Sequence, residues 1–291
     1  MRGLAIAIEL VAIGCATQSQ HSPSERPQPA YELEVGDFEF RDERGRSDRP
    51  IHVWYARPVD AGPQPRIVFI LHGDSRTGRS ARDVGASHAG RHRFIVVAPH
   101  FRQDHYPDDV YDLGGMVRGG ALQPREEWAL LLIEHLLDHL RERWSLTTTS
   151  YDIVGHSAGG QFVQRLVLFV PEARFRRAVA SGPGTLAFPD VKVKAPYGLG
   201  GVPMAAGGLE RSLAREFVLV VGDRDVEEGP RPEIVLAQGK NRLSRAFRLF
   251  AVAQEVAVER GVPLEWRLRV VHGLDHSPLE TLALDFEEIL R

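Results

Sequence analysis

Ile153-Val154-Gly155-His156-Ser157-Ala158-Gly159-Gly160 is the stretch on which the fold turns. It carries a short apolar run straight into a segment with apolar residues at helical spacing, so a strand must become a helix at Ser157. Gly155 and Gly159, two residues either side of the serine, remove Cβ atoms that would collide in so tight a turn. The turn forces Ser157 into a strained backbone conformation and holds its hydroxyl clear of the strand ends. A serine hydroxyl in that position is a nucleophile only if a base takes its proton and an acid orients that base.

Working outward, both partners are found downstream. Val218-Leu219-Val220-Val221-Gly222-Asp223-Arg224-Asp225 ends an apolar strand in an acidic turn, and Val270-Val271-His272-Gly273-Leu274-Asp275-His276-Ser277 ends the last strand with histidine. Asp225 is preferred to Asp223 because it lies farther past the strand end and has more reach; Asp223 is left to brace the turn. His276 is preferred to His272, which still belongs to the strand. The order Ser157, Asp225, His276 is the one known from proteins that open on this turn. A negatively charged oxygen formed by attack needs donors already aimed at it. The N–H of Ala158, at a helix start, supplies one; the second is expected after Val68-Phe69-Ile70-Leu71-His72-Gly73, from the N–H of Asp74 in preference to Ser75. His72 reads as a buried brace rather than a base.

The wider pattern is α/β. Segments 31–40 and 51–56 read as an antiparallel pair joined by a polar turn. Thereafter apolar strands at 66–71, 94–98, 151–154, 177–180, 217–221 and 266–271 alternate with helical spacing at 126–144, 158–170, 241–260 and 279–290. Such alternation predicts a mostly parallel central sheet with helices on both faces.

Composition excludes some partners. A net charge of −3, with all but three of the 36 basic residues being Arg spread along the chain, gives no stripe for nucleic acid. At the start, Arg2, an apolar run over 4–13 interrupted by Glu9, and Gly14-Cys15 read as an export signal over 1–15. Ala12-Ile13-Gly14-Cys15 is similar to a bacterial lipoprotein signal, in which Cys15 would be lipidated and tie the protein to a membrane; plain secretion is the alternative. Residues 16–30, rich in Ser, Pro and Gln, read as a flexible linker, and 31–291 as one domain. Cys15 is the sole cysteine, so no disulfide can form within the chain.

With these residues in view, the chain resembles secreted α/β-hydrolases: esterases, polyhydroxybutyrate depolymerase-like and feruloyl esterase-like serine hydrolases. The resemblance runs from about residue 49 to the end. It is carried by Ile70-Leu71-His72-Gly73, Gly155-His156-Ser157-Ala158-Gly159-Gly160-Gln161-Phe162, Gly222-Asp223-Arg224-Asp225, Gln238-Gly239-Lys240-Asn241-Arg242 and Gly273-Leu274-Asp275-His276. It implies the α/β-hydrolase fold, attack of Ser157 on a carboxylic ester, an acyl-enzyme, and its hydrolysis by water activated through His276. Unlike the depolymerases it resembles, the chain is expected to carry neither their usual disulfides nor a separate substrate-binding domain.

Substrate contacts are expected from loops above the strand ends: Tyr106 and Tyr111 in 102–123, Phe188 and Tyr197 in 181–212. His105, Asp108, Asp109 and Asp112 have donors for a cation, although a solvated acidic loop explains them more simply, and no metal or cofactor is called for. Trp128 and Trp144 read as core. Residues 238–242 either brace the active face or cap a helix. The expected partner is a small or oligomeric ester. Rival functions are an acyltransferase or peptidase of the same fold, and a surface lipoprotein that binds a ligand without catalysis.

Overall fold

The computed structural model describes residues 8–11, 31–226 and 232–291. Its strands are β1 (Ile8–Val11), β2 (Leu33–Phe40), β3 (Ile51–Pro58), β4 (Arg66–Leu71), β5 (Phe94–His100), a two-residue hairpin of β6 (Val117–Arg118) and β7 (Ala121–Leu122), β8 (Tyr151–His156), β9 (Phe175–Ser181), β10 (Phe217–Gly222) and β11 (Trp266–Val271). The helices are α1 (Gly78–His92), α2 (Asp108–Tyr111), α3 (Leu132–Arg143), α4 (Ala158–Phe169), α5 (Gly208–Leu213), α6 (Glu233–Leu236), α7 (Arg242–Arg260) and α8 (Pro278–Leu290).

One sheet has the order β1-β11-β10-β9-β8-β4-β5-β3-β2. Only the β2–β3 and β3–β5 pairings are antiparallel; the remaining neighbours are parallel. This is the mostly parallel sheet with helices on both faces that the alternating pattern predicts. Side chains divide between two cores with the strand period of two: Ile67, Phe69 and Leu71 face the layer of α3, α4 and α7, whereas Val68 and Ile70 face α1 and α8. The parallel strands β4, β8, β10 and β11 all end on one rim, and the functional candidates follow those ends.

Several elements differ from expectation, α1 and the start of α3 most of all. Helix α1 was not foreseen because the residues it buries are mostly small: Gly78, Ala81, Gly85, Ala89 and Gly90. A Cβ at Gly85 would stand 2.3 Å from Ile70 Cδ1, so close packing on the sheet, not an apolar stripe, holds this helix. The helix expected over 126–144 begins instead as two 3₁₀ turns, Arg125–Glu127 and Ala129–Leu131, separated by Trp128 in extended backbone. Trp128 and Trp144 do pack on the core. Within the stretch read as an export signal, Ile8–Val11 pairs in parallel with β11; Cys15 and the 16–30 linker lie outside the described residues.

Candidate active site

Ser157 sits between β8 and α4 with φ 55° and ψ −113°, a conformation that a non-glycine residue adopts only under constraint. The constraint is visible around it. Cβ atoms at Gly155 and Gly159 would lie 2.3 Å from the Gly159 carbonyl oxygen and 2.5 Å from the Leu71 carbonyl oxygen. The Ser157 N–H donates to the Ser181 carbonyl at 2.9 Å, tying the turn to the end of β9.

The chain ends of β10 and β11 meet this serine. His276 Nε2 is 3.1 Å from Ser157 Oγ, and His276 Nδ1 is 2.9 Å from Asp225 Oδ2. A carboxylate only accepts, so Nδ1 carries the proton and Nε2 presents its lone pair to the hydroxyl. Arg242, the first residue of α7, donates to Asp225 Oδ1 at 3.0 Å. Burial pushes the Asp225 carboxyl upward, but the bond from His276 and the Arg242 charge outweigh it and hold the group below its usual range.

The other acid and histidine pair with each other. Asp223 accepts from the Gly273 N–H at 2.8 Å and lies 2.6 Å from His272 Nδ1. Those two bonds lower its carboxyl pKa. The two loops are further joined by Asp223 N–H to Val271 O at 3.0 Å and Arg224 N–H to Leu274 O at 3.1 Å. His72 is bonded on both sides of its ring, accepting from Phe101 N–H on Nε2 at 3.0 Å and meeting the Gly73 carbonyl from Nδ1 at 2.9 Å. Burial drives its pKa down to about 3.

Ala158 heads α4, where first-turn N–H groups lack intrahelical partners. A Cβ at Gly73 would lie 3.5 Å from Ser157 Cβ, so the 73–74 backbone runs alongside the serine. Two cavities flank the hydroxyl. One, of about 280 Å³, is largely apolar, with Leu71, Ala81, Val84, Pro278 and Leu282 beside His276. The other, of about 250 Å³, is walled by Asp74, Asp108, Asp109, Asp112, Gln161 and Tyr197. Asp74 and Ser157 belong to both.

Of the four expected substrate contacts, only Tyr197 lines a cavity at Ser157. Tyr106 and Tyr111 are buried, and their hydroxyls donate to the carbonyls of Arg49 and His72 at 2.7 Å each, so both are structural. Phe188 is buried beside a separate cavity with Val193, Ile234 and Val252. Residues 238–242 do both things considered for them. Asn241 and Ser244 form a capping box on α7, Gln238 bonds both backbone groups of Leu186, and Arg242 holds Asp225. Among the described residues, no three His, Cys, Asp or Glu side chains converge on a metal-ion position.

His156 was passed over in the sequence. Its ring lies 4.7 Å from that of His276, tilted by 36°, and neither ring nitrogen has a hydrogen-bond partner. Burial, followed by the charges of His276, keeps its pKa near about 3.

The sequence matches no protein-family model and no curated protein. Solved structures do match. Poly(aspartic acid) hydrolase-1 of Sphingomonas sp. KT-1 is 32% identical with a TM-score of 0.83, over 88% of this chain and 98% of that one. A poly(3-hydroxybutyrate) depolymerase of Bordetella parapertussis is 30% identical with a TM-score of 0.81, over 87% and 88%. An S-formylglutathione hydrolase of Agrobacterium tumefaciens, 18% identical with a TM-score of 0.54 over 90% and 94%, shares the fold. The two structures at 30% and 32% identity, each matched over most of both chains, together with the serine turn and the mostly parallel sheet, settle the kinship: the chain belongs to the α/β-hydrolase family of esterase- and depolymerase-like serine hydrolases.

Proposed function

We propose that the chain hydrolyses carboxylic esters through Ser157, His276 and Asp225. The observation that carries this reading is the unbroken chain of hydrogen-bond distances from Ser157 Oγ through His276 to Asp225. His276 Nε2 takes the Ser157 proton as Oγ bonds to the ester carbonyl carbon, and negative charge moves to the carbonyl oxygen. The N–H groups of Ala158 and Asp74 receive that oxygen, helped by the positive end of α4. As the carbon–oxygen ester bond breaks, the imidazolium returns its proton to the leaving alcohol oxygen, leaving an acyl-serine. Water then gives its proton to His276, attacks the acyl carbon, and releases the acid with Ser157 restored. Asp225 remains ionised throughout and stabilises the imidazolium.

A fluorophosphonate probe is expected to label the protein covalently, and Ser157→Ala to abolish both labelling and nitrophenyl-ester turnover. Retained turnover in that variant overturns the reading. Export, with a lipid on Cys15, belongs to the same proposal. Palmitate incorporation that vanishes in Cys15→Ala supports it, and a mature protein still beginning at Met1 contradicts it.

A further inference from the structure

The apolar cavity beside Ser157 lies between the starts of α1 and α8, and its chemistry changes with depth. Asp74, Ser75, Thr77, Ser80 and Pro278 are exposed and form its rim, whereas Leu71, Ala81 and Leu282 are buried and Val84 is half-buried. Ala81 and Val84 stand three residues apart on α1 and so share a face. Together with Leu282 they belong to the core on that side of the sheet. The inner wall of the cavity is thus an edge of that core, left open next to the nucleophile.

Past the rim, little can hold a polar guest except the reacting pair, Ser157 and His276. Asp74 is the one lining side chain with a fixed charge among the described residues, and it stands at the rim. The hydroxyls of Ser75 and Thr77 meet each other at 3.1 Å. His72 is bonded on both ring nitrogens. His156 is 3% exposed with both nitrogens covered, so it offers ring carbon to the cavity and no donor or acceptor. Burial keeps both imidazoles uncharged, each with its pKa lowered to about 3. A hydroxyl or a charge moving inward would lose water without gaining a partner, whereas a methylene would gain from leaving water.

Which half of an ester enters follows from where the proton goes. The leaving oxygen must come to His276 Nε2, the atom 3.1 Å from Ser157 Oγ, and His276 lines this cavity and not the acidic one. The alcohol part is therefore directed here and the acyl part to the other side. The volume of about 280 Å³ has room for about nine groups of the bulk of water, about 30 Å³ each, and a methylene is of similar bulk. Resting on the ester-hydrolase reading, we propose that this cavity is the leaving-group site and selects esters of apolar alcohols of about five to nine carbons over esters of short or polar alcohols.

The test uses acetate esters, so that every substrate forms the same acetyl-enzyme. Alkyl alcohols from propanol upward are nearly equal in basicity, and rate differences among them therefore read contact with the protein and not leaving ability. The value of kcat/KM is expected to rise about threefold per methylene from propyl to heptyl acetate, and to level off near nonyl. Replacing two methylenes of the heptyl chain with ether oxygens should return the rate to the propyl level or below it. A flat series, or a diether as fast as heptyl acetate, overturns the proposal. Val84→Trp, which fills the cavity, should cut the heptyl-to-propyl ratio about fivefold. Both esters are read on one preparation, so any loss of folded protein cancels, and an unchanged ratio overturns the proposal as well. Calorimetry of N-heptylacetamide and N-propylacetamide on Ser157→Ala reads the cavity without turnover: about tenfold tighter binding of the heptyl amide supports it, and equal binding overturns it. Binding that grows with alkyl length in a protein that turns over no ester would count against the hydrolase reading while sustaining the preference of the cavity.

Discussion

Both oxygens of Asp225 are occupied, one by His276 and the other by Arg242, so the carboxylate that holds the His276 ring is itself held. Because bonding lowers its folded-state pKa, its contribution is present above its unfolded value and is lost as pH falls through the folded one. Asp225→Asn keeps the shape but allows the wrong imidazole tautomer, and kcat is expected to fall by about 10³–10⁴-fold. Asp223→Asn, which breaks a bond to exposed His272, should change kcat by less than about threefold. A steady-state comparison of the two variants checks which acid serves the base. That Asp225 and not Asp223 meets His276 was legible in the sequence because reach past a strand end is a local property, and so was the position of Ser157, whose glycines belong to the same turn. Arg242 was only half legible: its neighbourhood stood out, but an ion pair across 17 residues requires the fold. Tyr106 and Tyr111 misled for the opposite reason. Whether a loop tyrosine faces substrate or core depends on distant carbonyls, here Arg49 and His72, that no local pattern announces.

At the scale of elements, the strand-to-helix junction leaves no room for a methyl group. A Cβ at Gly159 would press on the Leu71 carbonyl oxygen at 2.5 Å and the His72 carbonyl oxygen at 2.8 Å, so α4 would have to lift from β4. Gly159→Ala is expected to cost about 3 kcal/mol or more of stability and to abolish activity, measured by urea unfolding and ester assay. Gly261→Ala provides the control. A Cβ there meets nothing within 4 Å, and only the left-handed backbone of the α7 C-cap resists it, so a loss of about 1 kcal/mol is expected with activity retained. Apolar runs made β2 to β5, β8 to β11 and the helices α4, α7 and α8 readable. Helix α1 escaped because its contact face is built from small residues, a signal that hydrophobic spacing does not register.

Across the whole molecule, buried ionisable groups set the pH limits. His72 and His156 stay neutral in the folded protein down to about pH 3, whereas an unfolded histidine protonates near 6.5. Between those values the unfolded chain binds protons that the folded chain does not, so stability falls as pH drops below about 6.5, by about 2 kcal/mol per histidine at pH 5. His156→Leu should flatten the acid limb of a plot of unfolding free energy against pH. Asp285 has the opposite sign. Wholly buried and bonded to Ser181 Oγ at 2.7 Å, its carboxyl is raised by burial, so its contribution is fullest below the unfolded carboxyl value and is lost as pH rises. Asp285→Asn should raise the thermal midpoint by a few degrees at pH 7, an increase checked by calorimetry at pH 7 and vanishing near pH 4. The seam between the loops after β10 and β11, sewn by Asp223 N–H to Val271 O and Arg224 N–H to Leu274 O, has a consequence in time. Acid and base are fastened together before any visitor arrives. Acylation in a stopped-flow trace should therefore start at full speed with no lag, and mild denaturant should silence the enzyme in one stroke when that edge comes undone, not by gradual fading.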